Sequence, residues 1–175
     1  RPDAGAAASV RAELGLAAGT PLIGMVARAD PQKDHATAFA AVALLAERGI
    51  DAHLVLCGRG TEVDGALAGA VRAAGVADRV HHLGERRDLP HLQAAWDLAL
   101  STSSYGEGLS NAVAEAMACA VPAVVTSVGA GAELVGTCGE VVGPGRPDAV
   151  ADALERLLSR PPAERARLGA AARAR

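Results

Sequence analysis

Two cations, Arg28 and Lys33, and two carboxylates, Glu107 and Glu115, have the types and spacing that chemistry would need. Lys33 is the only lysine among 17 lysines and arginines. A composition so biased toward arginine would have placed arginine here too if any cation served. Lysine supplies the compact point charge that suits a phosphate oxygen in a tight site. Arg28 closes an apolar run and Lys33 opens the next helical pattern, so the two flank one ligand crevice. A solvated lysine, unique by chance, is the plain alternative, and Lys33 alone does not decide between them.

The stretch Glu107 to Glu115 (EGLSNAVAE) carries more. Glu107 and Gly108 end a polar loop, and the helix expected from about Leu109 to Cys119 is almost wholly apolar except for Glu115. An ionised carboxylate in such a helix is costly unless something pairs with it. Positions 108, 111, 112 and 115 share one helical face, so Glu115 looks back toward the helix mouth. That mouth offers free N–H groups and partial positive charge, a seat for phosphate. A carboxylate two turns inside could then accept hydrogen bonds from the vicinal hydroxyls of a sugar. An internal salt bridge is the alternative for Glu115.

These residues must be positioned by an ordinary globular domain: 175 residues, 50% hydrophobic and 21% charged, leave little room for two. With one Phe, one Trp and one Tyr, the core has to be built from Ala, Val and Leu. Short apolar runs alternate with helical patterns, which predicts a doubly wound, Rossmann-like α/β fold with a parallel sheet. Strands are expected at 21–28, 52–57, 79–83, 97–101, 123–126 and 140–142. Helices are expected at 34–48, capped by Asp34 and stopped by Gly49, and at 61–74, 89–95, 109–119, 147–159 and 163–174. In such sheets ligands sit beyond the carboxyl ends of the strands. The Ala/Gly-rich opening from Arg1 is what a domain cut from a longer protein would show.

Several chemistries are disfavoured. The first strand runs into Arg28-Ala29-Asp30-Pro31-Gln32-Lys33 rather than a dinucleotide fingerprint, no P-loop exists, and Gly58-Arg59-Gly60 reads first as a tight turn. A net charge of -3 argues against nucleic-acid binding. No apolar run reaches the roughly 20 residues of a membrane span, and no signal peptide opens the chain. Cys57, Cys119 and Cys138 form neither a disulfide framework nor a zinc pattern, which points to a reducing cytoplasm. No Asp-x-Asp or histidine cluster suggests a metal. His81 and His82 read as one buried and one solvated histidine, and His35 as a local hydrogen-bonder rather than a general base. The six arginines from Arg156 to Arg175 could meet an anionic membrane surface, but a solvated helix or one packed on a missing domain is favoured.

The E-x7-E spacing in EGLSNAVAEAMACAVPAVVTSVGAGAELV, with ARADPQKDH after the first strand and RVHHLG before the short helix, resembles the carboxyl-terminal, donor-binding domain of retaining GT-B glycosyltransferases of family four. The resemblance covers about Leu14 to Leu158. It implies that residues 1–175 are one half of a GT-B fold, with the acceptor-binding amino-terminal domain absent from this chain. It also implies that Arg28 and Lys33 hold the diphosphate of a nucleotide-sugar, that Glu115 grips the ribose and that Glu107 sits by the transferred sugar. Gly108 and Leu109 match positions whose backbone amides approach the phosphates and sugar, Ser110 stands beside them, and Gly84 opens a loop that walls the base pocket. Ser110, Asn111 and Ala120 depart from the family pattern of glycine, an aliphatic residue and glycine.

Catalysis would then rest on Arg28, Lys33 and Glu107. The two cations and the helix mouth stabilise charge gathering on a departing nucleoside diphosphate, so no metal or other cofactor is expected. Glu107 would orient a sugar hydroxyl or stabilise an oxocarbenium-like centre, with a nucleophilic role less favoured. The acceptor would be a sugar, glycan or lipid-linked substrate held by the missing domain. A GT-B sugar-nucleotide epimerase and a non-catalytic nucleotide-binding module are the rival readings.

Overall fold

The computed structural model describes residues 4–175. Six parallel strands, β1 (Leu22–Val26), β2 (His53–Cys57), β3 (Val80–Gly84), β4 (Leu98–Ser101), β5 (Ala123–Thr126) and β6 (Gly139–Val142), form one sheet in the order β3-β2-β1-β4-β5-β6. This is the doubly wound sheet that the alternating pattern predicts. Successive side chains of a strand point to opposite faces, and β1 shows the consequence. Ile23 and Met25 enter one core with Phe39, Leu45, Leu54 and Leu154, while Leu22 enters the other with Val55, Leu92, Val113 and Met117.

The first core lies under α2 (His35–Glu47), α3 (Ala68–Ala73) and α7 (Pro147–Leu158), with α2 packed on α7. The second lies under α1 (Ala4–Glu13), α4 (Leu89–Ala94), α5 (Asn111–Ala118), α6 (Gly131–Val135) and α8 (Pro162–Ala174). Small residues let these layers close. Gly24 on β1 faces the indole of Trp96, and any Cβ there would collide with the ring.

Asp34 caps α2 as expected, accepting the N–H of Thr37 at 3.2 Å, and α2 gives way at Gly49 with φ +77°. Elsewhere the expected elements change. The helix expected over 61–74 shrinks to α3, because Thr61 bonds back to the carbonyl of Gly58 at 2.7 Å and Gly65 N–H closes a turn onto Glu62 at 2.8 Å. The alanine-rich opening forms α1, favoured by alanine's low helical entropy cost rather than by an amphipathic pattern. A short α6 fills part of the stretch after β5.

The histidines also differ from expectation. His81 and His82 are both half-buried: His81 Nε2 lies 3.0 Å from His53 Nδ1, and His82 Nδ1 lies 3.0 Å from the carbonyl of Thr61. His35 is buried, its Nε2 has no hydrogen-bond partner among the described residues, and burial lowers its pKa to about 4, so it is a neutral core group rather than a local hydrogen-bonder. Half of the terminal arginines are tied to the protein. Arg156 pairs with Glu140, Arg165 donates to the carbonyls of Leu158 and Arg160, and Arg175 donates to those of Glu133 and Leu134. Among the described residues no helix is long and apolar enough to cross a membrane.

Candidate functional site

The order of the sheet reverses between β1 and β4, so the chain leaves these neighbouring strands toward opposite faces and a crevice opens past their carboxyl ends. Arg28 and Lys33 follow β1, and Glu107 follows β4. Asp30 builds the first rim. Its carboxylate accepts the N–H of Gln32 at 2.9 Å and Nε of Arg28 at 3.0 Å, and these two donors hold it below the usual carboxylate range. Lys33 N–H closes onto the carbonyl of Asp30 at 2.9 Å, completing a single 3-10 turn over Pro31–Lys33. Asp34 then takes a left-handed conformation, φ 45°, which costs a non-glycine residue about 1–2 kcal/mol. Its bonds to the N–H and hydroxyl of Thr37 offset part of that cost.

The second rim is the loop from β4 to α5, and buried hydroxyls stitch it to the first. Thr102 Oγ1 lies 2.9 Å from the carbonyl oxygen of Lys33 and 3.0 Å from that of Asp34, while Ser104 N–H donates to the carbonyl of Gln32 at 2.9 Å. From the neighbouring strand, the hydroxyl of Thr126 donates to the carbonyl of Ser103 at 2.6 Å. Gly129, with φ +60°, backs against the carbonyls of Glu107 and Gly108, leaving no room for a Cβ. Ala130 N–H donates to the Gly108 carbonyl at 2.9 Å.

Clamping the two rims brings Lys33 Nζ to 2.6 Å from Glu107 Oε2. Ser103 Oγ donates to the same oxygen at 2.5 Å. The side chains of Lys33 and Glu107 are only 17% and 12% exposed. Burial pushes the Glu107 carboxyl upward, but the bonds from Lys33 and Ser103 and the charges of Lys33 and Arg28 outweigh it and hold the group below its ordinary value. The other oxygen, Oε1, has no hydrogen-bond partner among the described residues.

Beside this pair lies a cavity of about 310 Å³ lined by Arg28, Lys33, Gly58, Glu107, Ser110 and Asn111, among others. Leu109 also lines it, half-exposed. Helix α5 starts at Asn111 after Ser110, whose side chain makes no capping bond, so the first-turn N–H groups have no side-chain cap at the cavity wall. The helix begins later than expected. Gly108 and Leu109 belong to the approaching loop, so Gly108 does not share a helical face with positions 111, 112 and 115.

Three residues singled out from the sequence do not line this cavity: Gly108, in the approaching loop, Gly84 and Glu115. Gly84 ends β3, with φ +61°, two strands away from β1, and its carbonyl accepts the N–H of Gly58 at 2.7 Å. Glu115 is exposed on α5, about one turn beyond Asn111 and Ala112, and has no ion pair or hydrogen bond among the described residues. Among the described residues the internal salt bridge considered for it is therefore not formed. Thr102, Ser103, Thr126 and Asp30 were missed by sequence reasoning. The hydroxyl run Ser101-Thr102-Ser103-Ser104 between a strand and Glu107 was the one signal for Thr102 and Ser103. Among the described residues no group of three His, Cys, Asp or Glu is arranged to hold a metal ion.

Comparison with known proteins agrees with the motifs. A family model for glycosyl transferases group 1 matches residues 20–160. The GDP-mannose-dependent alpha-(1-6)-phosphatidylinositol dimannoside mannosyltransferase of Mycobacterium tuberculosis is 32% identical over 130 residues, which cover 73% of this chain and 32% of that protein. Anabaena HepE, crystallised with UDP-glucose, superposes with a TM-score of 0.85 at 26% identity, covering 98% of this chain and 48% of HepE. Sucrose-phosphate synthase from Thermosynechococcus elongatus gives a TM-score of 0.83 at 30% identity, over 95% of this chain and 43% of that one. The chain thus spans under half of each solved relative and about a third of the curated one. Its motifs, its sheet order and these matches lead to one assignment: the chain belongs to the group 1 glycosyltransferases, as a carboxyl-terminal domain of the GT-B fold.

Proposed function

We propose that residues 1–175 form the donor-binding domain of a retaining glycosyltransferase, which holds a nucleotide-diphospho-sugar for metal-independent transfer of its glycosyl group. The observation that carries this reading is the Lys33–Glu107 pair, held at 2.6 Å beside the uncapped start of α5 at the switch point of the sheet. HepE binds UDP-glucose and the mycobacterial relative depends on GDP-mannose, which supports the donor class.

In the transfer, the bond between the anomeric carbon and the diphosphate oxygen breaks and its electron pair leaves with the diphosphate. Lys33, Arg28 and the N–H groups at the start of α5 stabilise that growing charge in place of a metal ion. Glu107 orients a sugar hydroxyl or stabilises the positive charge at the anomeric carbon. Gly108, Leu109 and Ser110 line the approach to the sugar, Gly84 opens the wall of the base pocket, and Glu115 takes the ribose. The acceptor, a sugar, glycan or lipid-linked substrate, is presented by a separate amino-terminal domain. The three free cysteines fit a cytoplasmic setting.

Calorimetry of this chain with UDP and GDP, with and without a chelator, tests the reading. Weak binding that the chelator leaves unchanged is expected. Strict dependence on magnesium would overturn the metal-free mechanism, and binding of neither nucleotide would overturn the donor assignment.

A further inference from the structure

Glu107 is anchored through one oxygen only. Oε2 receives Lys33 Nζ at 2.6 Å and Ser103 Oγ at 2.5 Å, while Oε1 has no partner among the described residues and belongs to a side chain that lines the cavity. Ser103 is itself immobilised. It is 2% exposed, its carbonyl accepts the hydroxyl of Thr126, and its neighbours Thr102 and Ser104 are bonded to the 31–34 turn. A hydroxyl fixed this way has one good acceptor within reach, and donating to it favours the ionised form of that acceptor.

We propose that Ser103 is the positioning residue of Glu107: its hydroxyl, with Lys33, fixes Oε2 and keeps the group ionised, leaving Oε1 as the oxygen offered to the donor sugar. This rests on the donor-binding reading of the crevice. Its consequence is a pH dependence of donor affinity. Among the described residues the ionisable side chains lining the cavity are Arg28, Lys33 and Glu107, and Arg28 is already engaged by Asp30. A sugar hydroxyl that donates to Oε1 bonds the ionised form, so affinity for the donor sugar is highest above the Glu107 midpoint and falls as pH drops through it. Removing the Ser103 hydroxyl removes a bond to the charged form and moves that midpoint upward.

The test titrates the carboxyl carbon-13 signal of Glu107, assigned by its loss in Glu107→Gln, in the unchanged chain, in Ser103→Ala and in Ser103→Cys. The cysteine keeps the volume but is a weak donor, so it decides the matter if the alanine variant does not fold. Both variants are expected to raise the midpoint by about one pH unit. Affinity for UDP-glucose or GDP-mannose, whose diphosphate diesters carry no proton that titrates in the neutral range, should begin to fall at correspondingly higher pH as the solution is acidified. A midpoint unmoved in a folded variant overturns the proposal, and so does a binding profile that ignores a moved midpoint. Binding of neither sugar nucleotide by the unchanged chain would count against the donor reading instead, while the Glu107 titration still decides the role of Ser103.

Discussion

The two ends of the sheet each hold a sheltered ion pair, and the two pairs are built differently. At the amino end, Arg11 of α1 reaches Asp97 at 2.7 Å, with side chains 9% and 23% exposed. At the carboxyl end, Lys33 reaches Glu107 at 2.6 Å, with 17% and 12% exposed. Burial therefore does not separate them; saturation does. Arg11 also donates to the carbonyls of Thr20, Ala7 and Ala95, and Asp97 Oδ2 also takes the N–H of Leu22 at 2.9 Å. Four of the five N–H donors of a guanidinium are thus used by the protein. Among the described residues the ammonium of Lys33, with three donors, bonds one side chain, and Glu107 leaves Oε1 unpaired. A pair whose bonding capacity is consumed by the fold can only stabilise it, whereas spare capacity beside a cavity is available to a ligand.

The largest effect should come from the saturated pair. Arg11→Ala leaves Asp97 partly buried against three emptied carbonyls, with Arg165 at 3.7 Å as its remaining cation. Breaking a buried pair costs about 3–5 kcal/mol, and the partial exposure of Asp97 puts this case near the lower figure. Urea unfolding should show a loss of roughly 3 kcal/mol, with nucleotide affinity of the folded fraction unchanged. A loss under about 1 kcal/mol would erase the contrast between the two ends.

Lys33→Ala comes next and should divide its cost the other way. Ser103 still holds Glu107 and the cavity admits water, so stability should fall by about 1 kcal/mol. Affinity for the tighter of UDP and GDP should fall by roughly 1.5–3 kcal/mol, the range for a hydrogen bond to a charged group. Unchanged affinity with a normal melt would return Lys33 to a solvated lysine.

The sequence makes the functional end more legible than the structural one, for physical reasons. Lys33 stands out because its residue type is unique, and Glu107 because a charge follows a polar loop and precedes an apolar helix. Their contact is not legible, since 74 positions separate them and the register of two crossovers decides it. Arg11 carries no signal at all. Its helix is alanine-rich without a strong apolar face, and three of its partners are backbone carbonyls, which look alike in any sequence. Ser103 hides within a run of hydroxyl residues that reads as an ordinary loop, because only the fold shows which hydroxyl is buried. The sheet was easier, since alternating β and α patterns with apolar runs admit few parallel topologies.

The smallest effect belongs to Glu115, which has no partner to lose among the described residues. It is exposed, and residues 111, 112 and 115 share a face of α5 that begins at the cavity wall. Glu115→Gln keeps the shape and removes the charge. A surface substitution of this kind should leave the melt within about 0.5 kcal/mol of the unchanged chain. A carboxylate accepting two ribose hydroxyls makes charge-assisted bonds about twice as strong as those of an amide, so nucleotide affinity should drop by roughly 1 kcal/mol. The control is chemical rather than structural. With a 2′-deoxynucleotide one of the two hydroxyls is missing, and the gap between Glu115→Gln and the unchanged chain should narrow. A gap as wide as with the ribonucleotide would mean that Glu115 acts through long-range charge alone, and no gap with either ligand would remove it from the site.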